Sequence, residues 1–133
     1  DCPLIDPKLI DQVVSIRKSY GADYASNRSI NKAVPSGMDV EAFVFKALQS
    51  AHHQATSSFD REHVTPFIYY HPHQFKLVAV SRSRKQQRQQ WHLSVDRPKD
   101  LKLVRSIYSR LYHYNPRFEL SDIINLLERI REE

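Results

Sequence analysis

The chain has 133 residues, of which 41% are hydrophobic and 26% are charged; this composition is typical of a folded globular domain and argues against a disordered chain. Twenty Lys and Arg residues against fifteen Asp and Glu residues give a net charge of +5, which suits an anionic partner such as a nucleotide, a phosphate or a nucleic acid. The single cysteine, Cys2, excludes an intrachain disulfide and a four-cysteine zinc site. We expect a cytoplasmic protein with no membrane partner, because cysteine is scarce and no apolar run reaches spanning length.

The first part of the chain predicts a helix and two strands. Asp6 followed by Pro7 is a typical helix start, and Gly21 ends that helix. Residues 23–27 predict a short strand or its end. Residues 38–43 alternate, which predicts a strand with one apolar and one acidic face. Its apolar face comprises Met38, Val40 and Ala42, and its acidic face comprises Asp39 and Glu41.

The middle of the chain predicts two helices, a turn and a strand. A helix follows residue 43, with Ala47, Leu48, Ala51 and Ala55 on its apolar side. Asp60 is expected to cap a short turn over residues 61–63. Residues 65–70 predict another short helix, and residues 75–80 predict a strand.

The last part of the chain predicts one strand and two helices. Residues 91–95 alternate, with Trp91, Leu93 and Val95 predicted to point inward and His92 and Ser94 to lie opposite. A helix then begins near Pro98, and a final helix is predicted to be capped by Ser121. Because strands alternate with helices, we expect an α/β fold with a parallel or mixed sheet flanked by helices.

Asp96 is the most informative candidate site residue on physical grounds. It follows a predicted strand and precedes a predicted helix, and ligands in α/β sheets bind at the carboxyl ends of strands. A carboxylate there suits a hard cation such as Mg²⁺, which a second carboxylate, Asp1, would share if the two converged. The alternative is that Asp96 only caps the following helix.

Five motifs, in this order, resemble the cytidylyltransferase-like family of spore-coat polysaccharide biosynthesis proteins, which is similar to the acylneuraminate and 3-deoxy-manno-octulosonate cytidylyltransferases. The resemblance covers nearly the whole chain, and the ordered set is specific although no single motif is decisive. The motifs are Asp1-Cys2-Pro3-Leu4-Ile5-Asp6-Pro7, Asp23-Tyr24-Ala25-Ser26-Asn27, Pro35-Ser36-Gly37-Met38-Asp39-Val40-Glu41-Ala42-Phe43, Asp60-Arg61-Glu62-His63-Val64-Thr65-Pro66 and Leu93-Ser94-Val95-Asp96-Arg97-Pro98-Lys99-Asp100-Leu101.

The resemblance implies the carboxy-terminal portion of a Rossmann-like nucleotide-diphospho-sugar transferase fold. It implies a catalytic and Mg²⁺-binding role for Asp1 and Asp96, which match the two aspartates that flank the magnesium in that family. The implied reaction is attack of a sugar or sugar-acid oxygen on the α-phosphorus of CTP, which yields a CMP-sugar and pyrophosphate. Such a transfer depends on alignment of the reactants and on neutralised charge.

The same resemblance implies binding residues for the acceptor sugar. They are Asn27, Asp39, Glu41, Arg61, Glu62 and His63. Carboxylates accept hydrogen bonds from sugar hydroxyls, and arginine pairs with an acidic group or a phosphate. The alternatives are that Glu41 lies on the solvent face of an edge strand and that Arg61 and Glu62 belong to an ordinary exposed first turn.

Two departures from the family pattern bear on function. The family's glycine- and arginine-rich loop for the CTP phosphates is absent, because the only glycines are Gly21 and Gly37. We therefore expect residues 1–133 to be the C-terminal part of a single domain, inactive without an N-terminal part. In addition, Arg97 replaces a small hydroxyl residue and removes a helix cap, while the neighbouring carboxylate of Asp96 is retained.

The remaining features define the alternatives to an enzyme. A basic stretch contains Arg82, Arg84, Lys85 and Arg88; we interpret it as a solvated hairpin loop, with a dimer contact or a nucleic-acid arm as alternatives. We expect a homodimer and no nucleic-acid partner. A non-catalytic binding or dimerisation module is the main alternative to the transferase, and a basic nucleic-acid-binding domain is a third. The seven histidines form no metal motif, and Cys2 has no nucleophile partner.

Overall fold

The computed structural model describes residues 1–28, 34–81 and 91–132, and within these ranges the chain forms six helices and three strands. The basic stretch of Arg82, Arg84, Lys85 and Arg88 lies outside the described residues. In chain order the elements are α1 (Pro7–Ser19), β1 (Tyr24–Ser26), β2 (Glu41–Phe43), α2 (Phe45–Gln54), α3 (Ser58–His63), α4 (Pro66–Tyr69), β3 (Leu77–Ala79), α5 (Pro98–Leu111) and α6 (Leu120–Glu132).

The three strands form a mixed sheet in the order β2-β1-β3. The β1–β2 pair is antiparallel, with Ser26 opposite Glu41, and the β1–β3 pair is parallel, with Ser26 opposite Ala79. The sheet is flanked by helices, so the prediction of an α/β fold with a mixed sheet is confirmed. Each strand is shorter than predicted and is three residues long.

The two faces of the sheet carry different side chains because alternate residues of a strand point in opposite directions. On one face, Ala25 packs with Val13 of α1 and with Val80. On the other face, Tyr24 packs with residues of α2 and α4, including Ala51 and Ile68. Tyr24, Ser26 and Glu41 therefore share the face that α4 approaches, in agreement with the predicted acidic face of residues 38–43.

Asp6 joins the two ends of the described chain. Its carboxylate accepts hydrogen bonds from the backbone N–H of Lys8 (2.8 Å), which caps α1, and from that of Leu120 (3.0 Å), at the start of α6. Asp6 is buried, so its partners are shielded from water. The predicted cap of α1 is confirmed, and Gly21 follows the helix with φ +56°.

The carboxy-terminal helices cover the segment that leads to Asp96. α5 and α6 pack their apolar sides on Met38 and Leu93, both of which are fully buried. In the described ranges, no helix combines the length and the apolar character needed to cross a membrane.

Three local predictions are wrong. Residues 91–95 form no strand and make only one isolated parallel bridge, between Ser36 and His92, because their other hydrogen bonds go to irregular backbone. Ser121 lies inside α6, which begins at Leu120. Ser57 caps α3 by accepting from the N–H of Asp60 (3.1 Å), so Asp60 lies within that helix and does not cap it.

Candidate active site

Three stretches of backbone that are distant in sequence meet just before α5. The N–H of Leu93 donates to the carbonyl oxygen of Ser36 (2.8 Å), and the N–H of Ser36 donates to that of Trp91 (3.2 Å). Next along the chain, the N–H of Val95 donates to the carbonyl oxygen of Asp1 (2.7 Å). The backbone of Asp1 therefore lies against the residue that precedes Asp96.

Asp100 fixes the backbone at the start of α5. Its carboxylate accepts from the N–H groups of Arg97 (2.9 Å) and Asp96 (3.3 Å), and only 8% of its side chain is exposed. An acidic residue at the third helical position suits the free N–H groups and the positive end of the helix dipole. In the described residues no helix N–H donates to the Asp96 side chain, so the alternative that Asp96 caps this helix is wrong. Arg97 is the N-cap residue, and Asp100 accepts from its backbone N–H.

The carboxylate of Asp96 is open to solvent and has two polar neighbours. The side chain is 56% exposed, and its Oδ2 atom lies 2.9 Å from His92 Nε2 and 3.1 Å from Ser94 Oγ. His92 Nε2 also lies 3.7 Å from Asp100 Oδ2. His92, Asp96 and Asp100 each offer one ligand atom, and these three atoms lie within 4.8 Å of one another.

A cavity of about 440 Å³ opens beside this group. It is lined by His92, Asp96, Arg97, Lys99 and Asp100. Carboxylate oxygens suit Mg²⁺, and the volume leaves space for the waters that this ion retains. Lys99 and Arg97 add positive charge at the same place, which suits a phosphate group. The arrangement has the chemistry needed to hold a cation together with an anionic substrate.

The structure brings Asp1 near Asp96 through the backbone. The Asp1 side chain is exposed, with the thiol of Cys2 3.7 Å from its Oδ1, and it is not a member of the group of three potential ligands. The metal-binding roles predicted for Asp1 and Asp96 remain predictions.

A second cavity, of about 530 Å³, lies on the face of the sheet that carries Tyr24; we call it the Tyr24 cavity. It extends along the parallel strands β1 and β3, from their first residues, Tyr24 and Leu77, to their last, Ser26 and Ala79. Its lining comprises Tyr24, Ser26, Arg28, Glu41, Tyr69, Tyr70, Leu77, Val78 and Ala79. One predicted binding residue, Glu41, is therefore part of a pocket with an aromatic wall.

Glu41 is held in place by two hydroxyl groups. Both Tyr24 Oη and Thr65 Oγ1 donate to its Oε1 atom, the latter at 3.0 Å. Burial and the neighbouring Glu41 carboxylate raise the pKa of Tyr24, which therefore remains a protonated donor at neutral pH. Thr65 follows Val64, whose φ of 68° is strained for a β-branched residue.

Asp39 and Arg28 provide opposite charges near Glu41. Desolvation raises the pKa of the Asp39 carboxyl, and the charge of Glu41 raises it further, while Arg28 opposes both effects. Burial also raises the pKa of Tyr69, and Arg28 again acts in the opposite direction. The Arg28 charge therefore acts on Tyr69, which lines the Tyr24 cavity, and on Asp39, which does not.

Asn27 is buried and uses its side chain to hold backbone. Its Nδ2 donates to the carbonyl oxygen of Met38 (2.9 Å), and its Oδ1 accepts from the N–H of Val40 (2.7 Å). These two bonds fix the backbone on either side of Asp39. A contribution of Asn27 to substrate binding would therefore act through the position of Asp39.

The three residues of α3 that were predicted to bind substrate lie elsewhere. The Arg61 guanidinium donates to the carbonyl oxygens of His52 (3.2 Å) and Ala55 (3.3 Å) at the end of α2. The His63 ring packs on Phe59, and Glu62 is exposed. Arg61 lines a separate cavity of about 180 Å³, and none of the three residues, all in the described part of the chain, lines the Tyr24 cavity.

Several residues at these sites were not assigned a site role from the sequence, among them His92, Ser94, Arg28 and Tyr69. His92 and Ser94 were predicted to lie on the outer face of a strand that does not form, and they contact Asp96 because the backbone follows an irregular path. Arg28 directly follows Asn27, the last residue of one of the five motifs, and this adjacency was a signal that could have assigned Arg28 to the site. Tyr69 gave no signal beyond its place in a short apolar helix.

Comparisons with known proteins give one family match and two relatives. The model of the cytidylyltransferase family matches residues 1–128. An uncharacterized protein of Methanocaldococcus jannaschii is 32% identical over 129 residues, which cover 97% of this chain and 51% of that protein. The spore coat polysaccharide biosynthesis protein SpsF of Bacillus subtilis is 23% identical over 134 aligned positions, covering 97% of this chain and 52% of that protein.

A solved structure has the same fold. A cytidylyltransferase from Leptospira borgpetersenii superposes with a TM-score of 0.85 at 23% identity, over 99% of this chain and 54% of that chain. At this level of identity the likeness establishes the fold. The chain spans about half the length of the curated relatives that it matches.

Proposed function

This chain belongs to the cytidylyltransferase family, and we propose that the protein containing it transfers a cytidylyl group from CTP to a sugar or sugar-acid acceptor. An acceptor oxygen attacks the α-phosphorus of CTP, and the bond between the α-phosphorus and the bridging oxygen to the β-phosphate breaks. The products are a CMP-sugar and pyrophosphate. The name of the Bacillus subtilis relative supports a role in polysaccharide biosynthesis of the spore-coat type. We also propose that the protein acts in the cytoplasm.

One contact carries this proposal. The hydrogen bond from the Val95 N–H to the carbonyl oxygen of Asp1 (2.7 Å) joins the two motifs whose aspartates the family resemblance assigns to Mg²⁺. We propose that the carboxylates of Asp1 and Asp96 hold this ion, because exposed carboxylate oxygens are the ligands it prefers. When bound, Mg²⁺ supplies positive charge that neutralises the phosphates of CTP.

The Tyr24 cavity is our proposed site for the acceptor. In this proposal the Glu41 carboxylate, which lines the cavity, accepts hydrogen bonds from acceptor hydroxyls. Asp39 does not line the cavity, and we propose that it accepts from the same acceptor through its proximity to Glu41. The ring of Tyr69 offers an apolar surface for the carbon face of a sugar. The substrate-binding roles of Arg61, Glu62 and His63 remain predictions, since these residues lie beside a different cavity.

The proposal concerns the whole protein, of which residues 1–133 correspond to about half of the relatives' length. We propose that the loop for the CTP phosphates lies outside these residues, because they contain only two glycines. We also propose that residues 1–133 alone are inactive and that the intact protein is a homodimer, which light scattering of the purified protein would test.

The test of the function is CTP turnover by the intact protein. The protein is incubated with CTP, Mg²⁺ and a panel of sugar acids, sugar phosphates and neutral sugars, and pyrophosphate release is measured. We expect release that depends on one class of acceptor and on Mg²⁺, together with a product whose mass equals that of acceptor plus CMP minus water. Failure to bind CTP in calorimetry, or release that is independent of any acceptor, would contradict the proposal.

The acceptor site has its own test. Replacing Glu41 by glutamine is expected to raise the KM for the acceptor about tenfold, because hydrogen bonds to a charged group are worth about 1.5–3 kcal/mol. The KM for CTP and the kcat are expected to change less than twofold, since the proposal assigns Glu41 to acceptor binding and not to the nucleotide. Steady-state kinetics with each substrate varied in turn measures the effect.

Glu128→Gln, on α6 and outside both cavities, is the matched control and is expected to behave as the wild type. An unchanged acceptor KM in Glu41→Gln would remove Glu41 from the acceptor site. An equal rise of the acceptor KM in Glu128→Gln would show that the effect comes from the change in net charge and not from Glu41 itself.

A further inference from the structure

Two serine hydroxyls, 58 residues apart in sequence, lie behind the carboxylate of Asp96. Ser94 Oγ is 3.1 Å from Asp96 Oδ2 and 2.9 Å from Ser36 Oγ. Ser94 is buried, with 8% of its surface exposed. Ser36 is held beside it by the backbone hydrogen bonds that pair residues 36 and 91–93. The two hydroxyls and the carboxylate form a continuous chain of hydrogen bonds from one segment to the other.

The chemistry of the three groups fixes the direction of this chain. An ionised carboxylate only accepts hydrogen bonds, and a hydroxyl has a single proton to donate. Ser94 Oγ also lies 3.2 Å from His92 Nε2. In the tautomer with its proton on Nε2, His92 is a donor, so the Ser94 proton goes to Asp96 Oδ2 and Ser36 donates to the Ser94 oxygen. His92 Nε2, 2.9 Å from the same Oδ2, completes its set of donors. The oxygen turned toward these groups is occupied, which leaves Oδ1 for a cation.

We propose that Ser94 and Ser36 are positioning residues that orient the Asp96 carboxylate so that its Oδ1 atom binds the divalent cation. This inference rests on the proposed function, which assigns the cation to Asp96. Partners that hydrogen-bond a ligating carboxylate fix its orientation and raise metal affinity, so they act without touching the metal. Ser94 acts directly on Asp96, and Ser36 acts through Ser94.

The test uses Mn²⁺ alone as the probe, titrated into the intact protein and followed by the paramagnetic resonance signal of the free ion. Ser94→Ala is expected to weaken Mn²⁺ binding by about 10-fold or more, the usual cost of removing such a partner. Ser94→Thr, which keeps a hydroxyl, is expected to restore most of the affinity. Thermal unfolding of each variant is measured in parallel, because a purely structural role would lower stability without changing the affinity of the folded protein.

A double-mutant cycle tests the role of Ser36. Ser36→Ala is expected to weaken Mn²⁺ binding less than Ser94→Ala does. The double variant is expected to be no worse than Ser94→Ala alone, since Ser36 has no route to Asp96 once the Ser94 hydroxyl is gone. Ser109→Ala, an exposed serine that bonds only to the backbone of its own helix, is the matched control and is expected to bind as the wild type.

The outcomes separate this inference from the proposed function. Wild-type affinity in Ser94→Ala, or affinity that does not depend on Asp96, overturns the positioning role even if CTP turnover is normal. A loss in Ser94→Ala that Ser94→Thr restores supports it even if the intact protein fails to turn over CTP. If the losses of Mn²⁺ affinity in the two single variants simply add in the double variant, Ser36 does not act through Ser94. The positioning role is then limited to Ser94.

Discussion

Replacing Asp96 by asparagine is expected to lower CTP turnover by the intact protein at least about 100-fold, because a positioned charge at a transferring phosphoryl group is worth several kcal/mol. Asparagine has the same shape but lacks the negative charge that holds the cation. The free energy of unfolding is expected to change by only about 0.5 kcal/mol, as at other exposed positions. This follows from geometry, since the backbone N–H groups at the start of α5 are satisfied by Asp100 and not by Asp96.

Two further variants make the result specific. Asp11→Asn removes the same charge from an exposed position on α1 and is expected to leave turnover unchanged. Asp100→Ala is expected to lower the free energy of unfolding by about 1–3 kcal/mol, because it removes a largely buried carboxylate that accepts two backbone hydrogen bonds. Pyrophosphate release and urea unfolding measure the two effects. Normal turnover in Asp96→Asn would exclude it as a metal-binding residue.

The contrast between Asp96 and Asp100 shows what the sequence could and could not predict. Both carboxylates lie in one motif, and the resemblance singled out Asp96. Which of the two caps α5 depends on where the helix begins, and a one-residue difference in that boundary exchanges their roles. The start of α1 could be predicted from the sequence, because Asp6 and Pro7 are local signals that act on the helix they precede or begin.

Contacts between distant segments lie beyond such local signals. The alternation of residues 91–95 predicted a strand, but strand formation needs a continuous partner, and Ser36 offers only one bridge. The burial of Ser94 and its contact with Asp96 follow from that partner. The position of Arg61 could not be predicted from local signals either, because its hydrogen bonds to the end of α2 depend on how α3 packs and not on the motif that contains Arg61.

The segment over residues 36–41 connects the two candidate sites. Ser36 at one end lies behind Asp96, and Glu41 at the other end lines the Tyr24 cavity. Asn27 fixes the middle of the segment through the backbone of Met38 and Val40. A displacement of this segment is therefore expected to disturb the cation site and the acceptor site together, and Gly37 is the position at which this can be tested.

Gly37→Ala is expected to lower the free energy of unfolding by about 2–5 kcal/mol, the sum of overpacking and of a disfavoured backbone conformation. Gly37 has φ +91°, and a Cβ there would lie 2.7 Å from Leu93 C and 2.7 Å from Ser94 N. Both are backbone atoms, and the Leu93 N–H is bonded to Ser36, so the segment cannot move away without losing that bond. Urea unfolding measures the loss.

Gly21→Ala is the matched control, because Gly21 also has a positive φ (+56°) but no atom within 4 Å of the added Cβ. It is expected to cost only about 1–2 kcal/mol, from backbone conformation alone. The difference between the two variants therefore measures the close approach of residues 37 and 93–94. In folded Gly37→Ala protein, the Mn²⁺ affinity is expected to fall and the KM for the acceptor is expected to rise, whereas Gly21→Ala leaves both unchanged. Equal destabilisation by the two substitutions would show that the approach is looser than 2.7 Å and that residues 36–41 do not couple the two sites.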